Sequence, residues 1–104
     1  MLTELLGKPV MIRTYSAGVH FGTLAKFETA GSEYSVKLTD ANRIYSWSGA
    51  CSLSQLSLEG SKDQESKISV QVPSIYLKAI EVIEMTDFAL DNLRAIPTWR
   101  SDKK

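Results

Sequence analysis

The chain is poor in the residues that most chemistries need. Among 104 residues there is one cysteine, Cys51, and one histidine, His20. A lone cysteine closes no internal disulfide, so the sequence fits a reducing compartment, and Cys51 reads as a small buried hydrophobe. One His and one Cys fall short of the three or four protein ligands of a zinc site. They also lie in separate segments, which gives a Cys–His nucleophilic pair no support. Neither sign of charge is in excess, with 12 Lys plus Arg against 12 Asp plus Glu. That balance argues against a general nucleic-acid coat or a membrane-surface protein, yet leaves room for a local basic pocket. No apolar run approaches the roughly 20 residues of a membrane helix. Residues 1–7 lack the basic start and long apolar stretch of a signal peptide. Walker, G-x-G-x-x-G and G-x-S-x-G motifs are missing, and the acidic residues are scattered. The expectation is a non-enzyme without metal or cofactor.

What is there suits one small domain. Apolar residues make up 43% of the chain, enough for a modest core. Residues 1–104 read as a single domain with an ordered part over 8–96, a polar mobile loop over 61–66 and a charged tail over 100–104. Leu2, Leu5 and Leu6 are spaced for one helical turn before Gly7-Lys8-Pro9. Val10–Tyr15 and Val19–Glu28 read as a hairpin around Ser16-Ala17-Gly18, with Gly22 marking a bulge or a close backbone approach. Glu33–Leu38 alternates cleanly, Thr39–Ala41 reads as a turn, and Asn42–Trp47 as the next strand. Lys67–Val72 alternates with Ile68, Val70 and Val72 inward, and Pro73 limits it to an edge or ends it. Ile75–Met85 is β-rich, with a phase shift near Ala79-Ile80 that predicts a bulge or bend. Thr86 is the N-cap of a last helix reaching about Ile96, with Leu90 and Leu93 on one face. Trp99 stands isolated, suited to docking on the body or to a subunit contact. The predicted class is α+β, mostly β. Five to six antiparallel strands form a bent sheet or small open barrel, with a short inserted helix and a C-terminal helix.

Residues 43–60 are the most informative stretch. Arg43, Tyr45 and Trp47 alternate with smaller residues, and Ser48-Gly49 breaks the strand. Ser52-x-x-Gln55 reads as a capping box, Cys51 and Leu56 as its hydrophobic staple, and Gly60 as the helix stop. An arginine and two aromatics therefore lead into a helix N-terminus, whose free N–H groups suit an anion. Arg43 has the fork for a phosphate, Tyr45 or Trp47 the ring for stacking, and Gly49 and Ser52 flank the helix start. Arg13 and Tyr15 end the first strand beside Ala17 and Gly18, whose turn is a candidate anion nest, and His20 opens the return strand. Together these residues make a candidate site for a planar, negatively charged ligand such as a nucleotide. A second reading stays open for each. The aromatics also suit a core or an interface. Arg13 and Arg43 also suit strand-face salt bridges to Glu28 or Glu33, and His20 a neutral surface or core imidazole.

Two segments resemble a family of small proteins encoded by bacteriophages and prophages. They are Val10–Gly22, with Arg-Thr-Tyr-Ser-Ala-Gly-Val at its centre, and Arg43–Gly60, with Gly-Ala-Cys-Ser-Leu-Ser-Gln-Leu. The strands Val70–Leu77 and Ile80–Ile83 follow, so the likeness spans most of residues 10–85. Tyr45 stands where the family pattern carries the first of two tryptophans, and Ser48 where a basic residue is expected. The resemblance implies a phage origin and action in the cytoplasm of an infected bacterium. It is similar to compact phage proteins that sequester cyclic nucleotide signals of bacterial immunity as homo-oligomers. The expected partners are then a cyclic nucleotide-type small molecule and further copies of the chain, with no long nucleic acid and no membrane. The alternative is a phage accessory module that inhibits a host protein by masking its surface.

Overall fold

The computed structural model describes residues 2–31, 33–46, 52–61 and 67–98. A 3-10 turn, Leu2–Leu5, precedes five strands: β1 Pro9–Thr14, β2 Val19–Ala30, β3 Glu33–Ser46, β4 Lys67–Ile68 and β5 Val72–Glu84. Helix α1, Leu53–Glu59, lies between β3 and β4, and helix α2, Asp87–Arg94, follows β5. The protein is mostly β, with antiparallel strands in one bent sheet, a helix in the middle of the chain and a helix near its end, as the alternation and caps predict. Sheet order is β2-β1-β5-β3-β4, and β2 also pairs with β3. The pairings β1–β2, β2–β3, β3–β5 and β5–β1 therefore run in a closed circuit.

Alternation along these strands sorts the apolar residues into two clusters. Inside the circuit lie Val10, Ile12, Leu24, Val36, Leu38, Ala41 and Ala79, with Leu5, Phe27 and Leu77 packed at the margin. The opposite, outer face carries Met11, Phe21, Ile44 and Ile68, which pack with Leu56 of α1 and with Met85, Ala89 and Leu93 around α2. Both helices are capped where the sequence indicates. The Ser52 hydroxyl accepts from the Gln55 N–H at 3.1 Å, and the Gly60 N–H donates to the Leu56 carbonyl at 2.8 Å. The Thr86 hydroxyl accepts from the Ala89 N–H at 3.0 Å and donates to the Leu58 carbonyl at 2.7 Å, so one side chain caps α2 and ties it to α1. Asn92 adds a second tie, accepting from the Ser61 N–H at 2.8 Å.

Two predictions are corrected here. The Thr39–Ala41 turn is not a turn: β3 runs through it, and the two expected strands are one. Opposite Gly22, β3 carries an extra residue, and Asp40 takes the left-handed conformation with φ 50°. The expected chain reversal is thus a β-bulge, which bends one long strand instead of ending it. Arg94 of α2 supports the bulge by donating to the Asp40 carbonyl at 3.0 Å. A Cβ on Gly22 would sit 2.9 Å from the Thr39 carbonyl oxygen, so the close approach suggested for Gly22 is real. The second correction concerns Lys67–Val72. Only Ile68 is buried; β4 stops there, and Val70 and Val72 are exposed. Pro73 does not end a strand but stands near the start of β5, where β5 pairs on one side only. The shift expected at Ala79-Ile80 is present: Arg13 faces Glu81 while Thr14 faces Ala79, which leaves Ile80 as the extra residue.

Candidate functional site

The β1–β2 turn is held from within. The Thr14 hydroxyl donates to the Gly18 carbonyl at 2.8 Å and accepts from the Ala17 N–H at 2.8 Å. The Thr14 N–H also donates to the Gly18 carbonyl, at 3.1 Å. Gly18 has φ 85°, and a Cβ there would lie 3.1 Å from the Arg43 Nε, so a glycine serves both the left-handed backbone and the neighbour. One expectation changes as a result. The Ala17 N–H is spent on Thr14, so the turn does not present that donor to an anion.

The Ala17 carbonyl is where the predicted site residues meet. His20 and Arg43 are cross-strand partners on β2 and β3. His20 Nε2 lies 2.9 Å from the Ala17 carbonyl oxygen, and Arg43 Nη2 donates to the same oxygen. A carbonyl can only accept, so the His20 Nε2 carries the hydrogen and both lone pairs of the oxygen are used. The imidazole is buried, and burial holds its pKa below the ordinary 6.5; the Arg43 charge pushes the same way, against the opposing bond to Ala17. The neutral ring expected on the plainer reading is therefore the form this pocket favours. The Arg43 guanidinium also lies 5.5 Å from the centre of the Tyr45 ring, in cation–π range.

On this turn Tyr15 is 88% exposed. With Thr14, Ser16, Ala17 and Lys78 of β5 it lines a groove of about 400 Å³. Ala17 thus belongs to both arrangements: it walls the groove and anchors Arg43 and His20. Lys78 was not among the sequence candidates. It sits in an ordinary β5 alternation, and only the pairing of β5 with β1 near Thr14 brings it beside Tyr15.

Other candidates lie elsewhere. Arg13 shares the outer face with Met11 and binds Glu81, its Nε donating to Oε1 at 2.9 Å, so it is set apart from His20 and Arg43. Its partner is Glu81 of the neighbouring strand, not Glu28 or Glu33. Ser52 caps Gln55 at the start of a seven-residue helix whose Leu56 joins the outer-face cluster with Phe21 and Ile44. Alternation along β2 and β3 places that cluster opposite His20 and Arg43, so the helix start is not built into their group. Trp47, Gly49, Cys51 and Trp99 lie outside the described residues. Among the described residues no group of three His, Cys, Asp or Glu side chains is placed to hold a metal ion, and no helix is long and apolar enough to cross a membrane.

No curated protein and no solved structure matches the chain. One family model, described as a domain of unknown function, DUF6948, matches residues 7–93 and so takes in every strand, both helices up to Leu93 and the whole β1–β2 turn. The chain belongs to this DUF6948 family.

Proposed function

We propose that this protein is a binding protein for a small, planar, negatively charged ligand of cyclic-nucleotide type, which it holds without cleaving. The observation that carries the reading is the β1–β2 turn. An exposed aromatic ring, Tyr15, and a cation, Lys78, share one groove whose wall residue, Ala17, is fixed by Arg43 and His20. A ring stacks on Tyr15, and a phosphate pairs with Lys78. Arg43 is a positioning residue in this account: it holds the wall against which the ligand lies, and its charge adds to the field of the groove. The role of a phage counter-defence sponge, acting as an oligomer in an infected cell, rests on the resemblance of residues 10–85.

The test is a thermal-shift screen against cyclic dinucleotides, cyclic oligonucleotides and cyclic ADP-ribose isomers, followed by re-extraction of the ligand. A ligand at about 100 times its Kd adds roughly 2.7 kcal/mol, a shift of several degrees in a domain of this size. A shift with intact recovered ligand supports sequestration; a shift with altered ligand makes the protein an enzyme; a flat screen removes the reading. A second reading, a module that masks a protein surface, is favoured by one observation. Leu58 and Phe88 are 55% and 68% exposed on the two helices joined by Thr86. Phe88→Ser then abolishes the interaction while sparing the fold.

A further inference from the structure

The outer face of the sheet has a second half that no helix among the described residues covers. Beyond the bulges, β2, β3 and β5 continue as three strands, with β3 in the middle. β1 reaches only from Pro9, opposite Thr23, to Thr14, opposite Ala79, so among the described residues the far part of β2 and the near part of β5 pair only with β3. Inward residues of this part are apolar: Val36, Leu38, Leu77 and Ala79. Outward residues are of another kind. Lys26 lies directly opposite Lys37, and Lys37 directly opposite Tyr76, so one row across three strands reads Lys–Lys–Tyr. Lys78 follows two residues along β5 on the same face. Tyr76 is 69% exposed, with the Lys37 Nζ 5.6 Å from its ring centre. Like charges directly opposed across two strands destabilise a sheet. Among the described residues Lys26, Lys37 and Lys78 form no ion pair that would offset this. Lys26, Lys37 and Tyr76, with Leu6, Phe27 and the acidic Glu28, border an open groove of about 390 Å³, and Glu28 stands opposite Ser35, itself opposite Lys78, in the next row of this face.

We infer that this face is a binding site for single-stranded nucleic acid. Charge complementarity and shape both favour such a ligand. Lysines on neighbouring strands offer point charges to successive phosphates, and the exposed Tyr76 ring offers a stacking surface that takes any base. Along β5 the face continues from Tyr76 to Lys78, so Lys26, Lys37, Tyr76 and Lys78 run in a strip that stops short of Tyr15. A strip suits a chain of phosphates better than one compact anion. Duplex is disfavoured, because its bases are stacked on each other and leave Tyr76 no free π-face. The balanced net charge is no obstacle, since three lysines against one carboxylate, Glu28, leave this face locally positive.

The inference goes beyond the Tyr15 groove and stands or falls separately from it. The test is fluorescence anisotropy of a fluorescein-labelled oligothymidylate of about 10 nucleotides, within the span of a small stacking platform, titrated with the whole protein across a salt series. The expected result is binding that weakens as salt rises, with the duplex of the same length binding more weakly. Lys26→Gln with Lys37→Gln cuts affinity at least tenfold and lowers the salt slope by roughly 1.4, about 0.7 for each lost phosphate contact. Tyr76→Ala costs about tenfold. All three side chains lie on an open face, and a thermal melt confirms that the variants fold. Tyr15→Ala leaves oligonucleotide affinity within twofold, which separates this site from the other. Absent binding at low salt, binding indifferent to salt, or equal binding by the Lys26/Lys37 and Tyr76 variants overturns the inference.

Discussion

The outer face of one sheet is finished in two ways. Over β1 and the adjoining parts of β2, β3 and β5 it is apolar, with Met11, Phe21, Ile44 and Ile83, and two helices lie on it. Past the bulge at Gly22 and Asp40 it turns polar, with Lys26, Glu28, Lys37, Tyr76 and Lys78, and no helix among the described residues lies on it. Inward apolar residues run through both halves, Val10, Ile12 and Leu24 in one and Val36, Leu38 and Leu77 in the other, with His20 and Arg43 joining them at the β1–β2 turn, so the sheet keeps its core while its outside changes role. The covered half supplies stability through burial, and the bare half carries side chains whose removal costs the fold little. Exposed aromatic and basic residues here are not leftovers of packing, because the same strands bury their apolar residues thoroughly a few positions away.

Substitutions in the two halves have unequal effects. The largest expected effect is in the covered half. Phe21→Ala removes a fully buried ring and lowers stability by about 3–5 kcal/mol in a urea melt. At the border, Gly22→Ala drives a methyl group to 2.9 Å from the Thr39 carbonyl oxygen and costs about 1–3 kcal/mol by the same measurement. Thr86→Ala loses the α2 cap and the tie to Leu58 together and costs about 0.5–2 kcal/mol. In contrast, Tyr76→Ala and Tyr15→Ala change stability by no more than about 0.5 kcal/mol, since neither ring is buried. A multi-kilocalorie loss at Tyr76 would erase the distinction between the two halves.

The smallest effect is one of pH. Burial favours neutral His20, so its folded pKa lies below the 6.5 of the free side chain. The unfolded chain then binds the proton first as pH falls. His20 contributes stability that is fully present above about pH 6.5 and is lost as the pH drops through the folded value. The parent protein should lose stability relative to His20→Gln between pH 7 and pH 5, and parallel curves for the two would show that the ring titrates normally.

Much of the fold is legible in local sequence. Ser52 and Thr86 are caps because their hydroxyls reach an N–H three residues on, which needs no tertiary information. The Ala79-Ile80 shift is written in the apolar pattern itself. Features that depend on partners are not legible. Thr39-Asp40-Ala41 has turn-like composition, and only the pairing of β3 with β2 on both sides makes it a bulge. Val70 reads as inward because alternation gives phase but not whether a partner covers that face. The site divides the same way. His20, Arg43, Ala17 and Gly18 converge as the hairpin and its neighbour strand suggest. Arg13 goes to the other face because it follows Ile12 by one residue, and its partner Glu81 arrives from β5, a strand whose position in the sheet order the sequence does not reveal. Lys26, Lys37 and Lys78 are ordinary alternating lysines until the register sets them in rows.

The proposed function requires that the turn carrying Tyr15 receive a planar anion. The most direct measurement is isothermal titration of the parent, Tyr15→Ala and Lys78→Gln with whichever cyclic nucleotide gives the largest thermal shift. The account predicts saturable binding by the parent, and affinity at least tenfold weaker in each variant, with unfolding temperatures unchanged in the absence of ligand. Undiminished affinity in both variants would contradict it, because the ligand would then sit where neither Tyr15 nor Lys78 can reach.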